Sequence, residues 1–367
     1  MNTYKVAEVF LISEKLPKVF DAFITAEEPV GSPVIVTFSE NRFDIPEESV
    51  ETSNFNFNNY RLRDGRWIFT TTHSDVMLRA SSDYTKAEIF STCGLDDTEL
   101  ELLLRIIIEC RMILGGNVSL HSSCVEKDGK AICFSGVSGI GKSTRAEQWI
   151  NALGYQFISG DRPAMLISKK IVCGAPWDGK EGIHRNESAD IAAIFDVRRS
   201  SFTKVRKVTP SQAYNFLIKQ IFVPMWDSET SMYAFVNLRR LTRTIPVYRV
   251  FCGPDENAAR EVFDIVFKNK DKILQEDKDM KIKDDFIVRD MLGEYMAIPT
   301  GDNIAKFDGS VVLNDVSAFI IEKLKAPISK EDLLDLILDE YDVERATAEA
   351  DLDALLKKLD EYGMLEN

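Results

Sequence analysis

The chain has 367 residues, which is enough for two or three domains at roughly 100–200 residues per domain. Its 59 acidic side chains outnumber its 45 basic ones and give a net charge of −14, which disfavours nucleic acids and anionic membranes as partners. The N-terminus lacks the basic start and apolar run of a signal peptide, and the six cysteines are scattered without metal-ligand spacing, so we expect a cytoplasmic protein with reduced thiols.

Residues 1–95 favour short strands separated by turns and carry no catalytic motif. The apolar runs at 34–38 and 67–72 are strand candidates, and Asp64 with Gly65 predicts the turn before the second run. We therefore predict a β-rich N-terminal region that serves for packing or faces a substrate.

Residues 97–114 predict a helix that Gly115 and Gly116 end. Its apolar part contains three charged residues and is too short to span a bilayer. Strands are expected at 118–125 and 130–135, and a further helix over 142–153. The sequence thus predicts a strand, a glycine-rich loop and a helix in direct succession.

The loop between that strand and helix, GVSGIGKST, matches the phosphate-binding pattern GxxxxGK[ST]. Glycines let the backbone curl so that its N–H groups point at phosphate oxygens, and the helix N-terminus adds partial positive charge. The predicted nucleotide-binding residues are Gly136, Ser138, Gly139, Ile140, Gly141, Lys142, Ser143 and Thr144. Lys142 is expected to reach the terminal phosphates of ATP or another nucleoside triphosphate, and the Ser143 hydroxyl to bind Mg²⁺.

Asp161 ends the apolar run that follows the predicted loop helix. An acid at this place is commoner in small kinases than in motor or switch ATPases. Its carboxylate is predicted both to bind Mg²⁺ and to accept the proton of a substrate hydroxyl. A plain turn aspartate before Pro163 is the alternative interpretation.

His121, GVSGIGKST and the segment ISGDRP together resemble the catalytic core of HPr serine kinase/phosphorylase relatives, over roughly residues 115–265. The resemblance implies an α/β P-loop kinase core of the HPr kinase/PEP carboxykinase-like class, with His121 and Asp161 in catalytic roles. Gly160 stands where the family has the first of two aspartates. Either Asp161 both binds Mg²⁺ and accepts the hydroxyl proton, or phosphoryl transfer is impaired. The alternative for His121 is a structural histidine in a strand, whose imidazole is hydrogen-bonded to a neighbouring residue. Phosphorylase activity on a sugar-transport carrier is not expected, because its typical segment is not recognisable.

The polar segment 174–187 contains the motif PWDGKE, which resembles a segment of the same kinase relatives. Lys180 is the preferred catalytic cation, because a positive charge aimed at the transferred group lowers the barrier. Trp177, Glu181 and Arg185 are further candidates to meet phosphate, metal or substrate. An ordinary solvated loop is the alternative.

Residues 268–285 are dense in charge and predict a linker. Strands at 286–296 and 303–312 and helices at 316–325, 330–341 and 345–359 follow, and this order resembles the PqqD family. That resemblance implies a small α+β, winged-helix-like fold that recognises precursor peptides, with a groove around residues 304–312 and the last helix. The leucines of the last helix are expected to be core, and a structural dimerisation domain is the alternative.

The predicted domains are a β-rich region (1–95), a kinase-like core (96–267), a charged linker (268–282) and a PqqD-like domain (283–367). The leading hypothesis is an ATP- and Mg²⁺-dependent kinase that phosphorylates a serine or threonine hydroxyl of a ribosomally made precursor peptide. The leader of that peptide is expected on the C-terminal domain. A non-catalytic, nucleotide-gated peptide scaffold and a kinase of a free small hydroxyl compound are the alternatives.

Overall fold

The computed structural model describes residues 1–366 except 48–49, 54–56, 97, 178–181, 183–184, 201, 254, 276–278, 284–285, 292–293 and 300–310. The chain forms two compact units, Met1–Leu274 and Gln275–Asn367. The predicted subdivision of the first unit at residue 95 stays a prediction.

The first sheet contains eight strands in the described part of the chain: β1 Asn2–Val6, β2 Val9–Ser13, β3 Val34–Phe38, β4 Val50–Ser53, β5 Phe57–Arg61, β6 Trp67–Thr71, β7 Val76–Ala80 and β8 Lys86–Ser91. Their order across the sheet is β1-β2-β3-β8-β7-β6-β5-β4. The predicted strands at 34–38 and 67–72 are confirmed as β3 and β6. Gly65 forms the predicted turn between β5 and β6 with φ 86°, a conformation that favours glycine.

The second sheet has ten strands among the described residues: β9 Val118–Ser119, β10 Ser122–Lys127, β11 Lys130–Ser135, β12 Gln156–Ser159, β13 Ala164–Leu166, β14 Ile171–Cys173, β15 Ser188–Arg199, β16 Lys204–Lys207, β17 Val247–Cys252 and β18 Leu274–Gln275. The strands β11, β15 and β17 are parallel neighbours, and β10 pairs antiparallel with both β11 and β12. The carboxyl ends of β11, β12, β15 and β17 therefore meet the start of β10 at one edge of the sheet.

Five α-helices belong to the first unit as described: α1 Thr98–Leu114, α2 Lys142–Leu153, α3 Pro210–Leu217, α4 Ser228–Thr244 and α5 Glu256–Phe263. Side chains alternate along a strand, so Phe134 and Phe195 face Trp149 of α2, with ring centroids 5.6 and 5.7 Å away. Their neighbours Cys133 and Ile194 belong to the apolar cluster that includes residues of α3 and α4 on the opposite face. The predicted helix over 142–153 is confirmed as α2.

The buried face of α1 belongs to the same hydrophobic cluster as the first sheet, and this cluster continues into Ala164, Leu166 and Trp177 near the second sheet. One core therefore joins both sheets of the first unit. The predicted helix over 97–114 is confirmed as α1, and Gly116 follows it with φ 84°.

The second unit consists, in its described residues, of β19 Phe286–Met291, β20 Glu294–Pro299, β21 Val311–Leu313, α6 Asp315–Lys323, α7 Lys330–Glu340 and α8 Arg345–Glu361. The strands pair antiparallel in the order β19-β20-β21. The single strand predicted at 286–296 is wrong, because its two halves belong to the paired strands β19 and β20. Of the strand predicted at 303–312, residues 303–310 lie outside the described residues.

The three predicted C-terminal helices are confirmed within two residues at either end. The side chain of Ser329 caps α7 by accepting the N–H of Asp332. Of the leucines predicted as core, Leu352, Leu356 and Leu359 are buried.

Candidate functional site

The glycine loop (residues 136–144) lies between β11 and α2. Its three glycines have positive φ, with 153° at Gly136, 77° at Gly139 and 103° at Gly141. Gly141 is the N-cap of α2, and its carbonyl accepts the N–H of Arg145 at 3.0 Å. The first N–H groups of a helix have no partner within the helix and carry its partial positive charge. This loop geometry is compatible with the predicted phosphate binding, which stays a prediction.

Lys142 bends back over this loop. Its Nζ donates to the carbonyl oxygens of Gly136 at 3.2 Å and Val137 at 3.3 Å. Burial lowers the pKa of Lys142, Asp161 opposes that shift, and Arg162 adds to it. The ammonium group thus lies over the mouth of the loop, where a terminal phosphate would be received.

His121 and Asp161 come together at the same sheet edge. His121 directly precedes β10, and Asp161 follows β12, the strand paired with β10. Their Nε2 and Oδ1 atoms are 3.8 Å apart, which is too long for a direct hydrogen bond. Both side chains are about a quarter exposed, at 27% and 25%, so a ligand can reach them.

The pKa of His121 is lowered, chiefly by burial and then by the positive charge of Lys142, while Asp161 acts in the opposite direction. The lowered pKa favours the neutral form of the imidazole at neutral pH. A neutral imidazole has one donor and one acceptor nitrogen. It can accept or hold a proton beside Asp161.

Serine hydroxyls connect the glycine loop to the segment around Asp161. The Oγ atoms of Ser123 and Ser143 are 3.2 Å apart, and Ser123 Oγ donates to the Gly160 carbonyl at 3.1 Å. Ser123 is fully buried. Gly160, the departure from the HPr kinase-like pattern, thus takes part in the site through its main chain.

Two arginines near the loop were missed by sequence reasoning. Arg199, at the end of β15, donates from its guanidinium to the carbonyl oxygens of Ile140, at 3.3 Å, and Gly139. Arg249 of β17 donates to buried Asp196 at 2.9 Å, and Asp196 pairs in register with Ser135 directly before the loop. For Arg199, the available sequence signal was the pair of consecutive arginines, 198 and 199, that follows an apolar run.

Arg162 follows Asp161 with φ 45°, a region uncommon for residues other than glycine. Its carbonyl accepts the indole N–H of Trp177 at 2.9 Å. Trp177 is buried in the core, so its observed role is to hold this turn rather than to face a ligand. Lys180 and Glu181 lie outside the described residues, and Arg185 is exposed.

Metal binding was predicted for Ser143 and Asp161. No group of three or more His, Cys, Asp or Glu side chains that could hold a metal is found in the part of the chain described. Mg²⁺ commonly takes only one or two carboxylates and completes its shell with substrate phosphates and water. Ser143 and Asp161 would suit a cation that arrives with a nucleotide, and their metal binding stays a prediction.

The second unit presents an open strand and a cleft. β21 pairs with β20 on one side and lies at the edge of the described sheet. A cleft of about 360 Å³ begins at Asn314, one residue beyond β21, and runs between α6, α7 and α8. Val316, Val343 and Leu355 are partly exposed and contribute apolar surface to it, and Asp351 and Lys358 contribute charges of opposite sign.

No described helix has both the length and the apolar character required to cross a membrane. No curated protein matches the chain.

Residues 303–365 match the family model described as coenzyme PQQ synthesis protein D (PqqD). This match confirms the resemblance predicted for the C-terminal domain. The HPr kinase-like resemblance of residues 115–265 stays a prediction.

Two solved structures are similar to part of the chain. One is described as TbiB1 in complex with the TbiA(beta) leader peptide, and the other as lasso peptide synthetase B1 complexed with the leader peptide. Each is 26% identical over 24% of this chain, at a TM-score of 0.21, and the matches cover 95% and 99% of those chains.

Proposed function

We propose that this chain binds a ribosomally made precursor peptide through its C-terminal unit and phosphorylates a serine or threonine hydroxyl of that peptide. ATP is the donor and Mg²⁺ the accompanying cation. The match of residues 303–365 to the PqqD family supports peptide binding, because the resemblance to that family implies recognition of a precursor peptide. Phosphoryl transfer is carried by the meeting of Lys142, His121 and Asp161 at one sheet edge.

The leader peptide would bind in extended form. An edge strand offers unpaired N–H and C=O groups, and a peptide can add to it as one more strand. β21 is such an edge in the described sheet, and the cleft between α6, α7 and α8, which begins at Asn314, offers apolar surface for side chains of the peptide. Backbone hydrogen bonds then supply affinity, and the cleft supplies selectivity.

The glycine loop fits a nucleotide on structural grounds. A Cβ on Gly136 would lie 2.9 Å from the Ile140 side chain, so the tight curl of the loop requires glycine there. A Cβ on Gly139 would meet nothing within 4 Å, which leaves that side of the loop open. Lys142 and the N–H groups at the start of α2 would hold the phosphates.

In the proposed reaction, the acceptor hydroxyl oxygen forms a bond to the terminal phosphorus of ATP, and the bond from that phosphorus to the bridging oxygen breaks. Asp161 accepts the hydroxyl proton, and neutral His121 beside it orients the acceptor. Mg²⁺, held by Ser143 and Asp161, would neutralise charge on the phosphate oxygens. Arg199 fixes the loop by binding its carbonyls.

A second candidate function is a nucleotide-gated peptide scaffold without transfer. The observation that favours it is Gly160, where the resembled family carries an acid. A scaffold would bind peptide with an affinity that depends on nucleotide, and it would leave the peptide unmodified.

The test is incubation of the full chain with ATP, Mg²⁺ and candidate precursor peptides from short reading frames beside its gene. We expect a mass gain of one phosphate on the peptide. Lys142→Ala should abolish the gain through loss of ATP binding. Asp161→Asn should reduce the rate about 100-fold or more, as expected for loss of a general base.

Peptide binding is measured in the same samples by fluorescence polarisation. A peptide that binds tightly and gains no phosphate would contradict the kinase and favour the scaffold. A peptide lacking its leader serves as the control, and it should be neither bound nor modified at the same concentration.

A further inference from the structure

Two hydrogen-bonding contacts connect three polar groups beside the glycine loop. Ser143 Oγ, at the start of α2, lies 3.2 Å from Ser123 Oγ, and Ser123 Oγ lies 3.1 Å from the Gly160 carbonyl oxygen. Ser123 is at the start of β10, the strand between β11 and β12, and its side chain is fully buried.

Counting protons fixes the direction of these bonds. A carbonyl oxygen can only accept, and a hydroxyl has a single proton. Ser123 therefore donates to Gly160, and Ser143 must donate to Ser123. The remaining lone pairs of Ser143 Oγ then face away from Ser123, as a cation ligand requires.

We infer that Ser123 is a positioning residue whose Oγ accepts the hydrogen bond donated by the Ser143 hydroxyl. By accepting this hydrogen bond, Ser123 directs the lone pairs of Ser143 Oγ toward Mg²⁺. The inference rests on the proposed nucleotide site.

Without the Ser123 hydroxyl, Ser143 has no fixed acceptor on that side. Ser143 is the second residue of α2, so its hydroxyl can then rotate to another acceptor. That rotation would engage the proton elsewhere and move the lone pairs away from the cation. The loss would affect the contribution of Mg²⁺ and leave the loop contacts to phosphate in place.

The test uses the full-length chain and a fluorescent ATP analogue, titrated with excess Mg²⁺ and again with EDTA. The magnesium gain is the Kd in EDTA divided by the Kd in Mg²⁺. We expect Ser123→Ala to reduce this gain about five- to tenfold, the effect of one hydrogen bond. The Kd in EDTA should change less than about twofold.

Ser122→Ala is the matched control. Ser122 is the neighbouring residue, it is equally buried, and its Oγ donates to the Leu120 carbonyl at 3.1 Å. This variant should keep the wild-type magnesium gain. In a Ser143→Ala background, Ser123→Ala should reduce the gain no further, because Ser123 acts through Ser143.

An unchanged gain in Ser123→Ala, or an additive loss in the double variant, would overturn the inference. Ser123→Cys fills the same space with a weakly bonding thiol and gives the same test if the alanine variant does not fold. A wild-type chain that binds no ATP under either condition would instead reject the proposed function. Failure of the inference is thus distinguishable from failure of the function on which it rests.

Discussion

At the residue scale, Gly174 lies in close contact with the backbone of β12, the strand that precedes Asp161. A Cβ at this position would lie 1.9 Å from the Arg185 carbonyl oxygen and 3.0 Å from the Ile158 carbonyl oxygen on β12. These contacts are with backbone, so a side chain at position 174 must displace one of two neighbouring segments. One of them leads directly to Asp161.

We predict that Gly174→Ala lowers the free energy of unfolding by about 2–4 kcal/mol, because the backbone must shift to accept the methyl group. Urea unfolding monitored by tryptophan fluorescence measures the change. Gly94→Ala is the control, since a Cβ there meets nothing within 4 Å, and it should stay within about 0.5 kcal/mol of wild type. Equal stability of both variants would contradict the close approach.

The residues that the sequence identified and those that it missed differ in a physical way. Lys142 and Ser143 belong to a local pattern, whose chemistry follows from spacing along the chain. Ser123 and Arg199 lie beside the glycine loop only because β10 and β15 both pair with β11. Such pairings join distant parts of the chain, and no local pattern predicts them.

At the scale of elements, Asp227 connects the first sheet to α4. Its Oδ1 accepts the N–H of Thr230 as the N-cap of α4, and its Oδ2 accepts the hydroxyl of Tyr84 at 2.8 Å. Tyr84 precedes β8 and is fully buried. Burial raises the pKa of Tyr84, so its hydroxyl stays protonated and remains a donor.

Tyr84→Phe should lower the free energy of unfolding by about 1.5–3 kcal/mol, the value of a hydrogen bond to a charged group. The buried carboxylate would lose one donor and keep only its capping bonds. Equilibrium denaturation gives the number. The control is Tyr233→Phe, at an exposed site on α4 itself, which should change the free energy of unfolding by less than about 0.5 kcal/mol. An equally small loss in Tyr84→Phe would show that the bond between Tyr84 and Asp227 contributes little to stability.

Helices were predicted better than strands because their ends carry local chemical signals. Gly154 ends α2 in a left-handed conformation, and the side chain of Ser329 caps α7. The strands β19 and β20 were merged into one because strand ends depend on pairing more than on caps. A run of strand-forming residues does not by itself tell where it folds back.

At the scale of the whole molecule, the predicted nucleotide site belongs entirely to the first unit and the PqqD match entirely to the second. The charged segment 268–285 spans the boundary after Leu274, while the predicted domain bounds stay a prediction. The shared core of the two sheets was not anticipated, because its members come from distant segments such as α1 and Trp177.

A chain shortened to residues 1–275 keeps β18 and every described residue of the nucleotide site, so it should fold and bind ATP within about threefold of the full chain. Its affinity for a precursor peptide should fall at least about 100-fold, since the edge strand β21 and its cleft are removed. Titration of a fluorescent ATP analogue and polarisation of a labelled peptide give the two affinities. A folded short chain that still bound or phosphorylated the peptide would assign recognition to the first unit, and turnover of a free hydroxyl compound would favour the small-molecule kinase.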